Sequence, residues 1–299
     1  MKIGIIGTSR ITNDHISVLK KLKHNIAFIS STRKKSLNLL KISRKHKIKK
    51  KFYNWNKAID YAKKLKDCNF LITSRIKDNF KILYKCTKLN RFILVEKPVF
   101  LNSRQFNKIK FNKKIFVGYN RIFFNVIIFL KKKLASKKNL NVIVKCPESN
   151  KAEILKNSCH IISILSYIFG DLKLVNKRKN SNFINCTLTN KNRSFIYLSF
   201  NFKNSDNFLI EIYEKKIRYL LSPIEQLKIF SKVVVKKNKN NFLYSPKLKS
   251  HQIEYKNNNF KPGFKRQMKE FEYFTKGKKI INNFYFSKKV IEICEKIIK

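Results

Sequence analysis

"GIIGTSRI", residues 4–11, is the stretch on which the reading of this chain turns. An apolar run, "KIGII", meets a glycine and passes at once into an amphipathic stretch from about Ile11 to Leu22, the pattern of a strand turning sharply into a helix. A dinucleotide-binding turn places glycines at relative positions one, three and six, and here those positions hold Gly7, Ser9 and Thr12. Gly7 supplies the tight turn. Ser9 puts the smallest polar side chain where backbone meets a pyrophosphate, and its hydroxyl can donate to a phosphate oxygen. Thr12 asks for a wider seat between helix and strand. The helix N-terminal amides around Thr8 to Ile11 point toward such phosphates, and Arg10 adds a cation. Taken alone, the turn fits either a cofactor loop or an ordinary strand-to-helix turn.

Outward from the turn, the first 118 residues alternate short apolar runs ("KIGII", "IAFIS", "FLIT", "FILV", "IFVGY") with amphipathic stretches, including helices after Lys35 and from about Asp78 to Leu89. That alternation predicts an α/β architecture: a doubly wound parallel sheet of Rossmann type over 1–118, with its ligand at the carboxyl ends of the strands. After Tyr119 the rhythm changes. A helix near Ile122 to Leu134 precedes the strand "LNVIVK", then the helical "NSCHIISILSYIFG" closed by Gly170. Successive strands follow: "LKLVNKR", "NFINCTL", "SFIYLSFNF", "FLIEIYE", "KIRYLL" and "QLKIFS". Strand after strand through short polar turns predicts a second α/β domain, 119–299, with a mostly antiparallel open sheet. Residues 236–262, rich in Lys and Asn, are expected to form a long loop. Helices at about Phe264–Thr275 and Ser287–Ile298 are expected to follow and to pack back on the first domain.

With 43% hydrophobic residues, 299 residues can build two sizeable cores. The net charge of +52, from 69 Lys+Arg against 17 Asp+Glu, would ordinarily point to nucleic acid or an anionic membrane. Here Lys, Asn, Ile, Phe and Tyr are all abundant while Gly is 6, Pro 5 and Trp 1, the profile that A- and T-rich codons produce. The cations are also spread along "KHKIKKKF", "LKKKLASKKN" and "VVVKKNKNN" rather than gathered on one element, and no helix-turn-helix, zinc-finger or RNP pattern accompanies them. They read as solvated faces, with no specific nucleic-acid partner expected. Cysteines at 68, 86, 146, 159, 186 and 294 form no CxxC pair and no metal-ligand spacing, so no metal is expected and a reducing cytoplasm fits. The longest apolar run, "IFFNVIIFL", is short and broken by Asn125, and no signal-like leader opens the chain, so no membrane span is expected.

The second strand ends in "IAFISSTRKKS". An NAD site usually presents a carboxylate there to the ribose, whereas Ser31, Thr32 and Arg33, with no acid, suit the 2′-phosphate of NADP. "FILVEKPVF", residues 92–100, carries Glu96-Lys97-Pro98 to the carboxyl edge of the same sheet. These segments, with "VGYNRIF" at 117–123, "CHIISILSYIFG" at 159–170 and a terminal helix pair beginning "FKRQMKEFEYF", resemble the Gfo/Idh/MocA family of NAD(P)-dependent oxidoreductases over essentially the whole chain.

The resemblance implies hydride transfer to or from a hydroxyl-bearing carbon of a sugar, cyclitol or nucleotide-sugar, with surface polysaccharide biosynthesis as one setting. It places Lys97 beside the nicotinamide and the reacting hydroxyl, where burial and neighbouring cations lower a lysine's pKa. Glu96 would balance and orient it. His160 falls at the acid/base histidine of an Asp-x-Gly-x-His-x-x-Asp helix start, but Lys156, Ser158 and Ser163 replace the companions, so Ser163 can bond a substrate hydroxyl without acting as a base. Thr73 and Ser74 of "ITSRIKDNF" would line the cofactor crevice, and Tyr119, Asn120 and Arg121 would lie near substrate. From the residues alone, Lys97 also fits a strand-end ion pair, His160 a helix cap and Arg121 a surface cation. The family often pairs subunits through an exposed sheet face, which implies a homo-oligomer. The alternative to an enzyme is a binding or regulatory protein on the same scaffold that has lost turnover.

Overall fold

β1 (Lys2–Ile6) is the apolar run of the opening turn, and four of its five residues are buried because it lies inside a sheet with strands on both sides. The computed structural model describes residues 1–110, 112–203, 205–238, 241–254 and 260–299. The chain divides into two units, Met1–Phe123 with Lys256–Glu292, and Phe124–Tyr255 with Ile293–Lys299.

In the first unit β1 is followed by α1 (Arg10–Lys21), β2 (Asn25–Ser30), α2 (Leu37–Lys45), β3 (Lys51–Phe52), α3 (Trp55–Lys63), β4 (Cys68–Ile72), α4 (Ile76–Thr87), β5 (Ile93–Glu96), α5 (Arg104–Asn107) and β6 (Ile115–Gly118). The six strands pair in parallel in the order β3-β2-β1-β4-β5-β6. The order reverses between β1 and β4, so the loops leaving those two strands part on either side of a crevice. α1 buries Thr12, His15, Ile16 and Leu19, three and four residues apart, on one face. β3, α3 and α5 are elements not expected from the sequence. α3 buries only Ala58, Ile59 and Ala62 and starts where the Asn54 side chain accepts from the Asn56 amide at 2.8 Å.

A 3-10 turn over Asn120–Phe123 comes before α6 (Asn125–Leu134), where one helix was expected. The second unit continues with β7 (Asn141–Glu148), the short α7 (Lys151–Glu153), a π-turn over Ile154–Ser158 and α8 (Cys159–Phe169), which ends at Gly170 with φ +83°. Its strands are completed by β8 (Leu172–Lys179), β9 (Phe183–Asn190), β10 (Phe195–Phe202), β11 (Leu209–Glu214), β12 (Ile217–Leu221), β13 (Gln226–Asn238) and β14 (Asn241–Ile253). They form one sheet in the order β14-β13-β12-β11-β7-β10-β9-β8, antiparallel throughout except for the parallel β7–β10 pair. Alternation is clear on β10, where Ile196, Leu198 and Phe200 are buried while Phe195 and Tyr197 are exposed.

The expected loop over 236–262 is corrected by the β13–β14 ribbon, in which Val233, Val234 and Val235 lie opposite Pro246, Ser245 and Tyr244. Lysine and asparagine content says little about a backbone that is paired through its own amides and carbonyls. Residues 239–240 and 255–259 of that stretch lie outside the described residues. Two helices close the chain, α9 (Phe264–Thr275) and α10 (Phe284–Ile298). α9 places Phe264, Met268 and Phe271 in the first unit's core with Ile16 and Leu19 of α1. The Asn282 side chain donates to the Val117 carbonyl at 2.8 Å and so ties the segment before α10 to β6.

Candidate functional site

The opening turn is built by close approach. Gly7 holds φ +126°, and a Cβ there would lie 2.3 Å from the Thr73 carbonyl carbon and 2.5 Å from the Ser74 amide nitrogen, so only glycine lets the β1 and β4 turns meet. Thr12, at the third fingerprint position, is accommodated by a bond: its Oγ1 lies 2.8 Å from Thr73 Oγ1, both side chains being buried. Ser9 has the extended backbone of an N-cap, but its side chain makes no capping bond to α1. The Thr12 amide donates to the Ser9 carbonyl at 3.0 Å, and helix starts of this kind, lacking a side-chain cap, suit an anionic ligand.

Between the β1, β2 and β4 turns lies a cleft of about 350 Å³. Thr8, Ser9, Ser31, Thr32, Arg33, Thr73 and Ser74 all line it. Arg33 is seated by its own amide, which donates to Ser31 Oγ at 3.0 Å. Lys35, Ser36, Asn38 and Arg75 also line the cleft and were not foreseen. Ser36 is legible in retrospect as the N-cap of α2, accepting from the Leu39 amide at 3.2 Å. Among the described residues no carboxylate lines this cleft, and three cations do. Arg10 is exposed and Ile11 packs against the core, so neither side chain belongs to the lining.

At the end of β5, Glu96 Oε1 lies 2.6 Å from Nε2 of His15, which is 1% exposed and rests on the Phe264 ring at 4.9 Å. Glu96 is thus fastened to α1, a partner the sequence reading missed because 81 positions separate the two residues. Lys97 follows, half-buried, and its peptide with Pro98 is cis. Asn79 ties the neighbouring turns together: it accepts from Ser74 Oγ at 2.6 Å and donates to the Val99 carbonyl at 2.9 Å. Tyr119, expected near substrate, has its side chain inside the protein. It is 0% exposed, with its hydroxyl 3.2 Å from Ser287 Oγ, because an aromatic so close to β6 is drawn into the core. Asn120 donates to the Pro262 carbonyl at 3.1 Å, and Arg121 is half-buried in the same 3-10 turn.

In the second unit His160 is buried on the first turn of α8. Ser163 lies one turn on, wholly buried, and donates to the His160 carbonyl at 2.7 Å instead of facing outward. A residue absent from the sequence reading stands at the base of this turn: Glu148, the last residue of β7, accepts from Ser158 Oγ and from Asn157 Nδ2 at 3.2 Å. Burial raises its pKa above the ordinary carboxylate value, and those hydrogen bonds oppose the rise. All six cysteines are buried and none is in a disulfide, and burial pushes the Cys68 thiol up to about 11 and Cys186 to about 12. Among the described residues no cluster of three or more His, Cys, Asp or Glu could hold a metal, and no helix is long and apolar enough to cross a membrane.

A parallel sheet with a crevice at its switch point, joined to a mostly antiparallel eight-stranded sheet, is the fold of the Gfo/Idh/MocA-type oxidoreductases. Three solved structures illustrate the likeness. A Gfo/Idh/MocA family oxidoreductase from Vibrio cholerae matches with TM-score 0.72 and 13% identity, over 99% of this chain and 98% of that one. An oxidoreductase from Agrobacterium radiobacter, in complex with NAD+, L-tartaric acid and magnesium, matches with TM-score 0.73 and 14% identity, over 99% and 94%. The UDP-N-acetylglucosamine 3-dehydrogenase of Acidithiobacillus ferrooxidans matches with TM-score 0.73 and 11% identity, over 99% and 96%. At such identities the likeness establishes the fold. No family model and no curated protein matches the sequence.

Proposed function

We propose that the protein is an oxidoreductase, preferring NADP to NAD, that moves a hydride to or from a hydroxyl-bearing carbon of a sugar or nucleotide-sugar. The observation that carries this reading is the polar cleft at the switch point, whose described lining holds three cations and no carboxylate and includes Thr8 and Ser9 at the start of α1, directly after the Gly7 turn. The α1 amides and Ser9 would hold the pyrophosphate, Ser31, Thr32 and Arg33 the 2′-phosphate, and Thr73 and Ser74 the wall of the crevice. The nicotinamide, when bound, supplies the hydride acceptor or donor. Lys97 polarises the substrate hydroxyl and His160 takes or returns its proton. Tartaric acid and a UDP-sugar, named with two proteins of this fold, are both polyhydroxylated compounds bearing acidic groups, and the half-buried Arg121 would suit such a group. The exposed Val175, Phe195, Tyr197 and Tyr213 on the second sheet support pairing of subunits through that face, in a cytoplasmic homo-oligomer.

Fluorescence titration with NADPH and NADH tests the reading; silence with both removes it. Ser163, spent on its own helix and bearing no carboxylate, favours the second reading of a binding protein without turnover. Tight cofactor binding with no hydride exchange across a panel of sugars, unchanged in Lys97→Ala, would select that second reading.

A further inference from the structure

Glu148 stands out among the acids of this chain. With 69 Lys+Arg against 17 Asp+Glu, a carboxylate here readily finds a cation, and most of the others do so at the surface. Glu148 is the one Asp or Glu that is buried among the described residues, and its partners are neutral donors. All of them belong to the two residues that close the π-turn: Asn157 Nδ2, Ser158 Oγ and the Ser158 backbone. Three donors aimed at two oxygens suit an ionised acceptor. His160 comes two residues later. π-turns break the regular helical ladder and are frequent at functional sites, and this one ends at α8 where the histidine sits.

We propose that Glu148 is a positioning residue for His160, fixing through Asn157 and Ser158 the turn that carries the imidazole and placing a buried negative charge at its base. The assignment rests on the reading of His160 as the proton-transferring group. It supplies from β7 the carboxylate that the α8 turn itself lacks, Ser163 being a hydroxyl turned inward. Among the described residues, the other charged or titratable groups facing Glu148 are few. Glu153 on α7 is matched by Lys156 at 2.8 Å, and the Cys146 thiol on β7 is held protonated by burial. The Lys203 amide meets only the Glu148 backbone carbonyl, at 2.8 Å.

The test is an NMR titration of the full chain labelled at histidine, with the His160 signal assigned by its loss in His160→Gln. Glu148→Gln keeps the size and an acceptor oxygen but removes the charge. It should lower the His160 titration midpoint by on the order of half a unit to one unit, with Glu148→Asp restoring most of the shift. An unchanged midpoint in Glu148→Gln overturns the proposal, as does an equal change in the Gln and Asp variants, since that would report packing alone. The titration needs neither cofactor nor turnover, so it can succeed or fail independently of the oxidoreductase reading. NADPH affinity measured on the same samples reports on that reading separately.

Discussion

Replacing Thr12 by valine removes one hydroxyl from the seat of the opening turn and changes almost nothing else in shape. Thr12 and Thr73 are both buried and their hydroxyls lie 2.8 Å apart, so the single change leaves Thr73 Oγ1 without that partner inside the core. A lost hydrogen bond with a stranded buried oxygen costs about 1–3 kcal/mol. For a unit of this size that lowers the melting temperature by about 2–4 °C for each kcal/mol. Thr73→Val should cost a similar amount. The double variant Thr12→Val/Thr73→Val strands neither oxygen and should fall well short of the sum, with a coupling of about 1 kcal/mol or more. Thr12→Gly, which restores the fingerprint glycine, should destabilise as well, by roughly 0.3 kcal/mol from helix propensity and more from the lost packing and the stranded Thr73 hydroxyl. Urea unfolding of the wild type and the three valine variants closes the cycle. Losses that add within about 0.5 kcal/mol would refute the claim that this pair substitutes for the missing glycine.

Arg33→Ala should weaken NADPH binding by roughly ten- to a hundredfold, as the loss of one charge-assisted phosphate contact predicts, while leaving NADH almost unchanged; fluorescence titration with both nucleotides reads the difference. His46 is held below the ordinary imidazole value of 6.5 by burial, with Lys20 and Lys45 adding to the effect. Its folded pKa is depressed, so the unfolded chain takes up the proton first, and the stability present above pH 6.5 is lost as pH falls below it. Melting temperature against pH between 7 and 5 should therefore slope less steeply in His46→Gln than in the wild type. Burial of all six cysteines predicts that the native protein reacts with far less than one equivalent of a thiol reagent in minutes, and with all six once denatured.

Much of the site was legible because its parts are local. The β1 turn, the hydroxyl-and-arginine end of β2 and the Glu96-Lys97-Pro98 strand end each announce themselves within a dozen residues, and the strand-helix alternation places them at one edge of a sheet. What escaped were bonds between distant positions: His15 with Glu96, Thr12 with Thr73, and Glu148 with the turn before His160. None of these pairs has a signature in either partner's neighbourhood. Tyr119 and Ser163, whose side chains suit a ligand by type, have hydroxyls bonded inside the protein, which their neighbours in sequence do not announce.

Hydrophobic periodicity and turn chemistry are properties of neighbouring residues, and by themselves they determined the parallel sheet, the switch to antiparallel strands and the location of the crevice. Tertiary structure alone decided which polar groups share a buried bond, and it paired the lysine- and asparagine-rich stretch into the β13–β14 ribbon. The physical reason is that a strand's backbone is satisfied by whichever partner the fold brings alongside, and a buried carboxylate or hydroxyl by whichever donor the fold aims at it. Composition records neither.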